Sequence, residues 1–117
     1  MCLVFGYTRY GCVAFERADI TLHDLLSTQS RELSSVQKLA IAHQLLSAVA
    51  HLHSLGIVHG DLKPQNVVKI YSKDVWKLID FASARKAGDL SAIEYTLRYA
   101  APEVCTYIPY NTVMKVM

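Results

Sequence analysis

Four polar residues in the middle of the chain have the types and spacing to hold a charged group against an incoming hydroxyl. Asp61, Lys63 and Asn66 lie in the run His59-Gly-Asp-Leu-Lys-Pro-Gln-Asn66, and Asp80 opens Asp80-Phe-Ala82. Asp61 and Asn66, five apart on one tight loop, can aim a carboxylate at the hydroxyl and an amide oxygen at a divalent cation. Asp80 adds the hard oxygen ligand that Mg2+ prefers, with the remaining positions left to phosphate oxygens and water. Transfer of a phosphoryl group needs little covalent help and much positioning of charge, which is the chemistry this set suits. Taken singly, each aspartate reads as a solvated or capping loop residue. Their joint order carries the chemistry.

Elements on either side must present these residues. Leu39, Ala42, Leu45 or Leu46, Val49 and Leu52 recur at three or four, so a helix is predicted from Ser35 to Leu55 with this leucine face in the core. Ser34 or Ser35 caps it and Gly56 ends it; about 20 residues at 1.5 Å give roughly 30 Å, the width of a small domain. Residues 57 to 66 then read as a loop, because Pro64 forbids a continuing helix. Val67-Val-Lys-Ile70 and Trp76-Lys-Leu-Ile79 read as strands of a hairpin turning through 71 to 75, and its far end delivers Asp80.

Upstream, Cys2-Leu-Val-Phe and Cys12-Val-Ala-Phe flank Gly6-Tyr-Thr-Arg-Tyr-Gly11, the pattern of another hairpin. Thr21 followed by Asp24 is a weakened capping box for a short helix over Thr21 to Leu26. From Asp80 to Glu103 no periodicity is visible, which suits a mobile segment.

Composition narrows the partners. The 117 residues fit one domain or a piece of one, and 52% hydrophobic content is enough for a core. The net charge of +2 comes from scattered Lys and Arg, with no polybasic patch to attract nucleic acid or an anionic membrane. Cys2, Cys12 and Cys105 are odd in number and far apart, so neither a disulfide framework nor a zinc site is indicated. No apolar run reaches a membrane span, and an intracellular, cytoplasmic location is expected. His51 and His53 cannot share a helix face, and His43 has no carboxylate nearby, so the histidines do not predict a metal site.

With Thr96-Leu-Arg-Tyr-Ala-Ala-Pro-Glu103 added, three motifs stand in one order, and together they resemble eukaryotic-type protein kinases: H-R-D-L-x-x-x-N, D-F-G and A-P-E. The resemblance implies an α+β, protein-kinase-like fold, mainly the helical C-terminal lobe with a residual N-lobe hairpin. It implies one partial kinase domain over 1–117, with a hinge near 16–19, a catalytic loop at 59–66, a metal loop at 80–82 and an activation segment over 80–103. In that frame Asp61 accepts the substrate proton, Lys63 steadies the transferred phosphate of ATP, and Asn66 with Asp80 binds Mg2+. Glu16 and Ala18 offer backbone groups to adenine behind a bulky Phe15. Thr96 matches the threonine that contacts the catalytic Asp and Lys, His59 is structural, and Asp-Leu-Lys-Pro points to serine/threonine hydroxyls on a protein substrate.

Departures matter equally. Gly60 stands where the family has arginine, which removes the cation that would receive an activation-loop phosphate. Ala82 replaces the last glycine of D-F-G and restricts that backbone to negative φ. The glycine-rich loop, the strand lysine and its glutamate would all precede Met1, and no D-x-W-S-x-G follows Glu103. Two further readings therefore stand beside the kinase: a catalytically inactive remnant or pseudokinase acting as a binding module through exposed apolar helix surface, and a small-molecule phosphotransferase sharing the fold.

Overall fold

A computed structural model describes residues 3–5, 12–29, 33–89 and 96–102. Strands β1 (Leu3–Phe5) and β2 (Cys12–Ala14) pair antiparallel with Val4 opposite Val13, as the two β-prone runs predict. Gly6 and Gly11 lie outside the described residues. After β2 the chain runs without regular structure to β3 (Ile20–Thr21), then enters helix α1 (Leu22–Gln29). Thr21 caps α1 by accepting the Asp24 N–H at 3.1 Å. The Asp24 carboxylate returns to the Thr21 hydroxyl at 2.7 Å rather than to the backbone, because aspartate is one methylene short of the usual capping glutamate.

Helix α2 (Ser35–Ser54) starts on a complete capping box. The Gln37 N–H donates to Ser34 Oγ at 3.2 Å, and the Ser34 N–H donates to Gln37 Oε1 at 2.8 Å. It ends where Gly56 turns left-handed at φ 68°, with the Gly56 N–H bonded to the His53 carbonyl at 2.9 Å. The span agrees with the periodicity, and the predicted face does so in part: Leu45, Val49 and Leu52 are half-buried. Leu39 is 70% exposed and Leu46 69% exposed, and no α2 residue is fully buried. The helix turns Ile41 and Leu45 toward a core built from Leu22, Leu25, Val67 and Trp76, with Leu78 packed beside them. Each such side chain removed from water contributes about 1.5–3 kcal/mol.

The hairpin that carries the site forms as its sequence predicts. β5 (Val67–Ile70) pairs antiparallel with β6 (Val75–Leu78), and β3 pairs with the other edge of β5. β5 is central to this sheet and every one of its residues is buried, Lys69 included. Asp74, left-handed at φ 48°, closes the turn, and its carboxylate pairs with the Lys69 ammonium, which also lies 5.5 Å from the Trp76 ring centroid. The free edge of β6 docks on α2 through one polar residue: Gln44 Oε1 accepts the Trp76 N–H at 2.8 Å.

Two further short strands, β4 (Ile57–Val58) and β7 (Arg85–Lys86), pair antiparallel across a stretch that carries no periodicity of its own. Small antiparallel sheets with helices make this the α+β fold that the sequence predicts. Among the described residues no helix is long and apolar enough to cross a membrane.

Candidate active site

The segment between β4 and β5 ends in a single 3-10 turn, Pro64–Asn66, which proline starts and the entry into β5 stops. This turn folds Asn66 back onto Asp61. The Asn66 Nδ2 group donates to the Asp61 carbonyl at 2.9 Å and to Asp61 Oδ2 at 3.3 Å, so its amide oxygen is the atom left for another ligand. The second oxygen of the same carboxylate, Oδ1, accepts the Thr96 hydroxyl at 2.7 Å and the Thr96 N–H at 3.1 Å. Lys63 completes the group: its ammonium lies 2.8 Å from Asp61 Oδ2 and donates to Thr96 Oγ1 at 3.0 Å.

These atoms are removed from water, with side-chain exposures of 6% for Lys63 and 13% for Asp61. Burial pushes the Asp61 carboxyl up. The Lys63 ammonium and the Thr96 hydroxyl outweigh that and hold it below its ordinary 3.8. Asp61 is therefore a fixed carboxylate that orients a proton donor, and a weak proton store. Lys63 carries three N–H donors and spends two on Asp61 and Thr96, leaving one for a further acceptor.

Asp80 enters by a backbone route. The Ile79 N–H bonds to the Asn66 carbonyl at 2.9 Å, extending the β5–β6 ladder, and His59 Nε2 lies 3.1 Å from the Ile79 carbonyl. His59 is only 1% exposed; its Nδ1 accepts the Asp61 N–H at 3.4 Å, so Nε2 carries the proton and donates to Ile79. The Phe81 ring leans on it, with centroids 4.9 Å apart. Asp80 leaves this anchor exposed and left-handed, at φ 61°. One buried imidazole thus ties the loop bearing Asp61 to the residue before Asp80.

Glu16 and Ala18 stand elsewhere, on the connection between β2 and β3, and no hydrogen bond or ion pair joins either to the Asp61 group. None of the backbone bonds that tie the described loops involves Glu16 or Ala18. The Glu16 carboxylate pairs with Lys73 and, at 2.5 Å, with Lys77, so that side chain braces the hairpin. These hydrogen bonds, Lys73 first, lower its carboxyl from 4.5 to about 2. Asp19 adds two stitches to the same hairpin: its N–H donates to the Lys69 carbonyl at 2.9 Å, and its carboxylate accepts the Tyr71 N–H at 2.7 Å. The Glu16 brace was missed by sequence reasoning, although lysines near a turn opposite an acidic residue are its visible signal. Phe15 is 80% exposed.

Among the described residues no three His, Cys, Asp or Glu cluster tightly enough to cage a metal. The Asp80 carboxylate and the Asn66 amide oxygen are hard oxygen donors of the kind that Mg2+ takes together with phosphates and water. Ala82 avoids positive φ, as its side chain predicts, and the turn places its left-handed residue at Asp80. Glu103 lies outside the described residues.

The α+β frame thus gathers a Lys, an Asn and a Thr around the carboxylate of Asp61 and tethers the segment of a second Asp, Asp80, to the same loop. The family pattern described as the protein kinase domain matches residues 1–116, and the chain belongs to that family. It is 39% identical over 111 residues to the serine/threonine-protein kinase TIO of Arabidopsis thaliana, covering 92% of this chain and 8% of that protein. Over 98 residues it is 40% identical to the serine/threonine-protein kinase PSK1 of Saccharomyces cerevisiae, covering 82% of this chain and 7% of the relative. The serine/threonine-protein kinase prpf4B of Dictyostelium discoideum is 31% identical over 104 residues, covering 86% and 13%. The chain thus spans well under a third of the length of each of these relatives.

Proposed function

We propose that this chain carries the phosphoryl-transfer site of an ATP-dependent kinase acting on serine or threonine hydroxyls of protein substrates, with Mg2+ as the cation. The observation that carries the reading is the fourfold hydrogen-bonded carboxylate of Asp61, held by Lys63, Thr96 and Asn66. In this reading residues 59–66 are the catalytic loop, 80–82 the metal loop, 80–103 the activation segment and 16–19 the hinge. The setting is intracellular, and the substrate is protein rather than nucleic acid or membrane.

Asp61 orients the attacking hydroxyl and receives its proton as the new bond to the γ-phosphorus forms and the bond to the departing ADP breaks. Its lowered basicity suits late proton transfer, because the oxygen becomes acidic only as it is phosphorylated. Lys63 directs its remaining N–H at the transferred phosphoryl oxygens. Asn66 and Asp80 would hold Mg2+, which would neutralise charge on the phosphates. The backbone of Glu16 and Ala18 meets adenine, while the Glu16 side chain keeps the hinge against the hairpin.

Calorimetry of the full chain with Mg·ATP tests the reading. Micromolar affinity that falls at least tenfold in Asp80→Asn is expected; no affinity would instead favour the binding-module reading. That reading draws on the bare apolar residues of α2, Val36, Leu39 and Leu46.

A further inference from the structure

Gly60, one of two internal departures from the family pattern, closes on Ser83, the residue next to the other, Ala82. Gly60 sits left-handed at φ 83°, and a Cβ built there would overlap the Ser83 carbonyl oxygen while lying 3.1 Å from its carbonyl carbon and 3.2 Å from its Cβ. Two separate constraints therefore demand glycine: the torsion and the space. Ser83 is buried, and its turn is closed by the Ala84 N–H donating to the Phe81 carbonyl at 3.0 Å. Ala82 takes no positive φ, so the turn cannot relieve crowding there; its left-handed torsion falls on Asp80, whose Oδ1 accepts the Ala82 N–H at 3.4 Å.

We infer that Gly60 is a positioning residue for the metal loop: its bare Cα is the seat for the Ser83 carbonyl, and that seat sets the direction of Asp80. The inference rests on the reading of Asp80 as a metal ligand. An arginine placed at position 60 does not then restore a phosphate receptor; its Cβ lifts the turn off the catalytic loop and turns Asp80 away. Gly60 and Ala82 act as a matched pair, since a glycine at 82 gives the turn another path that moves the Ser83 carbonyl clear.

The test titrates Mn2+, followed by the free-ion electron paramagnetic resonance signal, into the full chain with a non-hydrolysable ATP analogue, alongside hydrogen exchange of the amides of 81–84. Gly60→Ala is expected to weaken Mn2+ binding about tenfold and to speed exchange at Ala84, Gly60→Arg at least as much, and the double variant Gly60→Ala with Ala82→Gly to recover most of both. Asp80→Asn is the separating control. If it abolishes Mn2+ binding while Gly60→Ala changes neither affinity nor exchange, the positioning role is wrong and the metal reading stands. If Asp80→Asn leaves Mn2+ binding intact, the metal reading fails, and the positioning role of Gly60 toward a metal falls with it. Should Gly60→Ala fail to fold, the double variant decides: recovery of the fold and of Mn2+ binding supports the pair, and no recovery overturns it.

Discussion

Two carboxylate-centred networks among the described residues differ in what surrounds them. Around Asp61, four hydrogen bonds converge on one carboxylate that is nearly sealed from water. Around Glu16, two lysines meet one carboxylate in the open: Lys73 keeps 57% of its side-chain exposure and Lys77 44%. Both networks lower an acid, yet only the first ties its energy to the fold. A buried charge stripped of its partner must bear its desolvation alone, whereas an exposed one is rehydrated and screened.

The contrast breaks most visibly at Lys63. Lys63→Met leaves the Asp61 carboxylate buried without its cation, and a loss of about 3–5 kcal/mol is expected in urea unfolding. With the Lys63 ammonium gone, burial is opposed only by the Thr96 bonds, and the Asp61 carboxyl is expected to rise from its lowered position. A loss under about 1 kcal/mol would place this pair with the surface ion pairs.

Thr96→Val is the next step down. It removes the hydroxyl that donates to Asp61 and accepts from Lys63 but keeps the Thr96 N–H bond to Asp61, so about 1–3 kcal/mol is expected in the same measurement. The sign of the pH dependence follows from the lowered Asp61 carboxyl. Its contribution is complete above 3.8 and fades as pH falls through the lower value of the folded state. The stability difference between Thr96→Val and the parent chain should therefore shrink on acidification below 3.8; a difference that grows there contradicts the assignment.

Glu16→Gln is the smallest change. Its carboxyl, lowered from 4.5 to about 2, lends stability above 4.5 that is lost between those values as pH falls, yet solvent screening makes the effect on melting at pH 7 too small to resolve. The sharper readout is carbon NMR of the Glu16 carboxyl: a midpoint near 2 at low salt should move toward 4.5 in molar salt. A midpoint unmoved by salt would mean that the pair is shielded like the Asp61 group.

The same contrast explains what was legible in the sequence. The loop residues Asp61, Lys63 and Asn66 could be read because their chemistry is local: one proline-started turn brings Asn66 back to Asp61. The span of α2 was legible from Ser34 and Gly56, its inward face only in part: Leu45 packs on the core, whereas Leu39 and Leu46 stay exposed. Apolar residues lie on more than one stripe of the helix, and Gln44, which bonds the edge of the hairpin beside Ile41 and Leu45, is polar. The strands β3, β4 and β7 have two residues each and exist only through distant partners, so no period marks them. Gly60 could be seen as a departure; that its missing side chain makes room for Ser83 required the fold.

The central claim is that the Asp61 carboxylate, as held here, drives transfer of a phosphoryl group to an alcohol. Radiolabelled transfer from Mg·ATP to serine- and threonine-bearing protein, compared between the full chain and its Asp61→Asn variant at equal folded fraction, measures it directly. A loss of about 10²–10⁴-fold in the variant is expected, the usual contribution of a positioned base. Transfer that survives Asp61→Asn unchanged would contradict it.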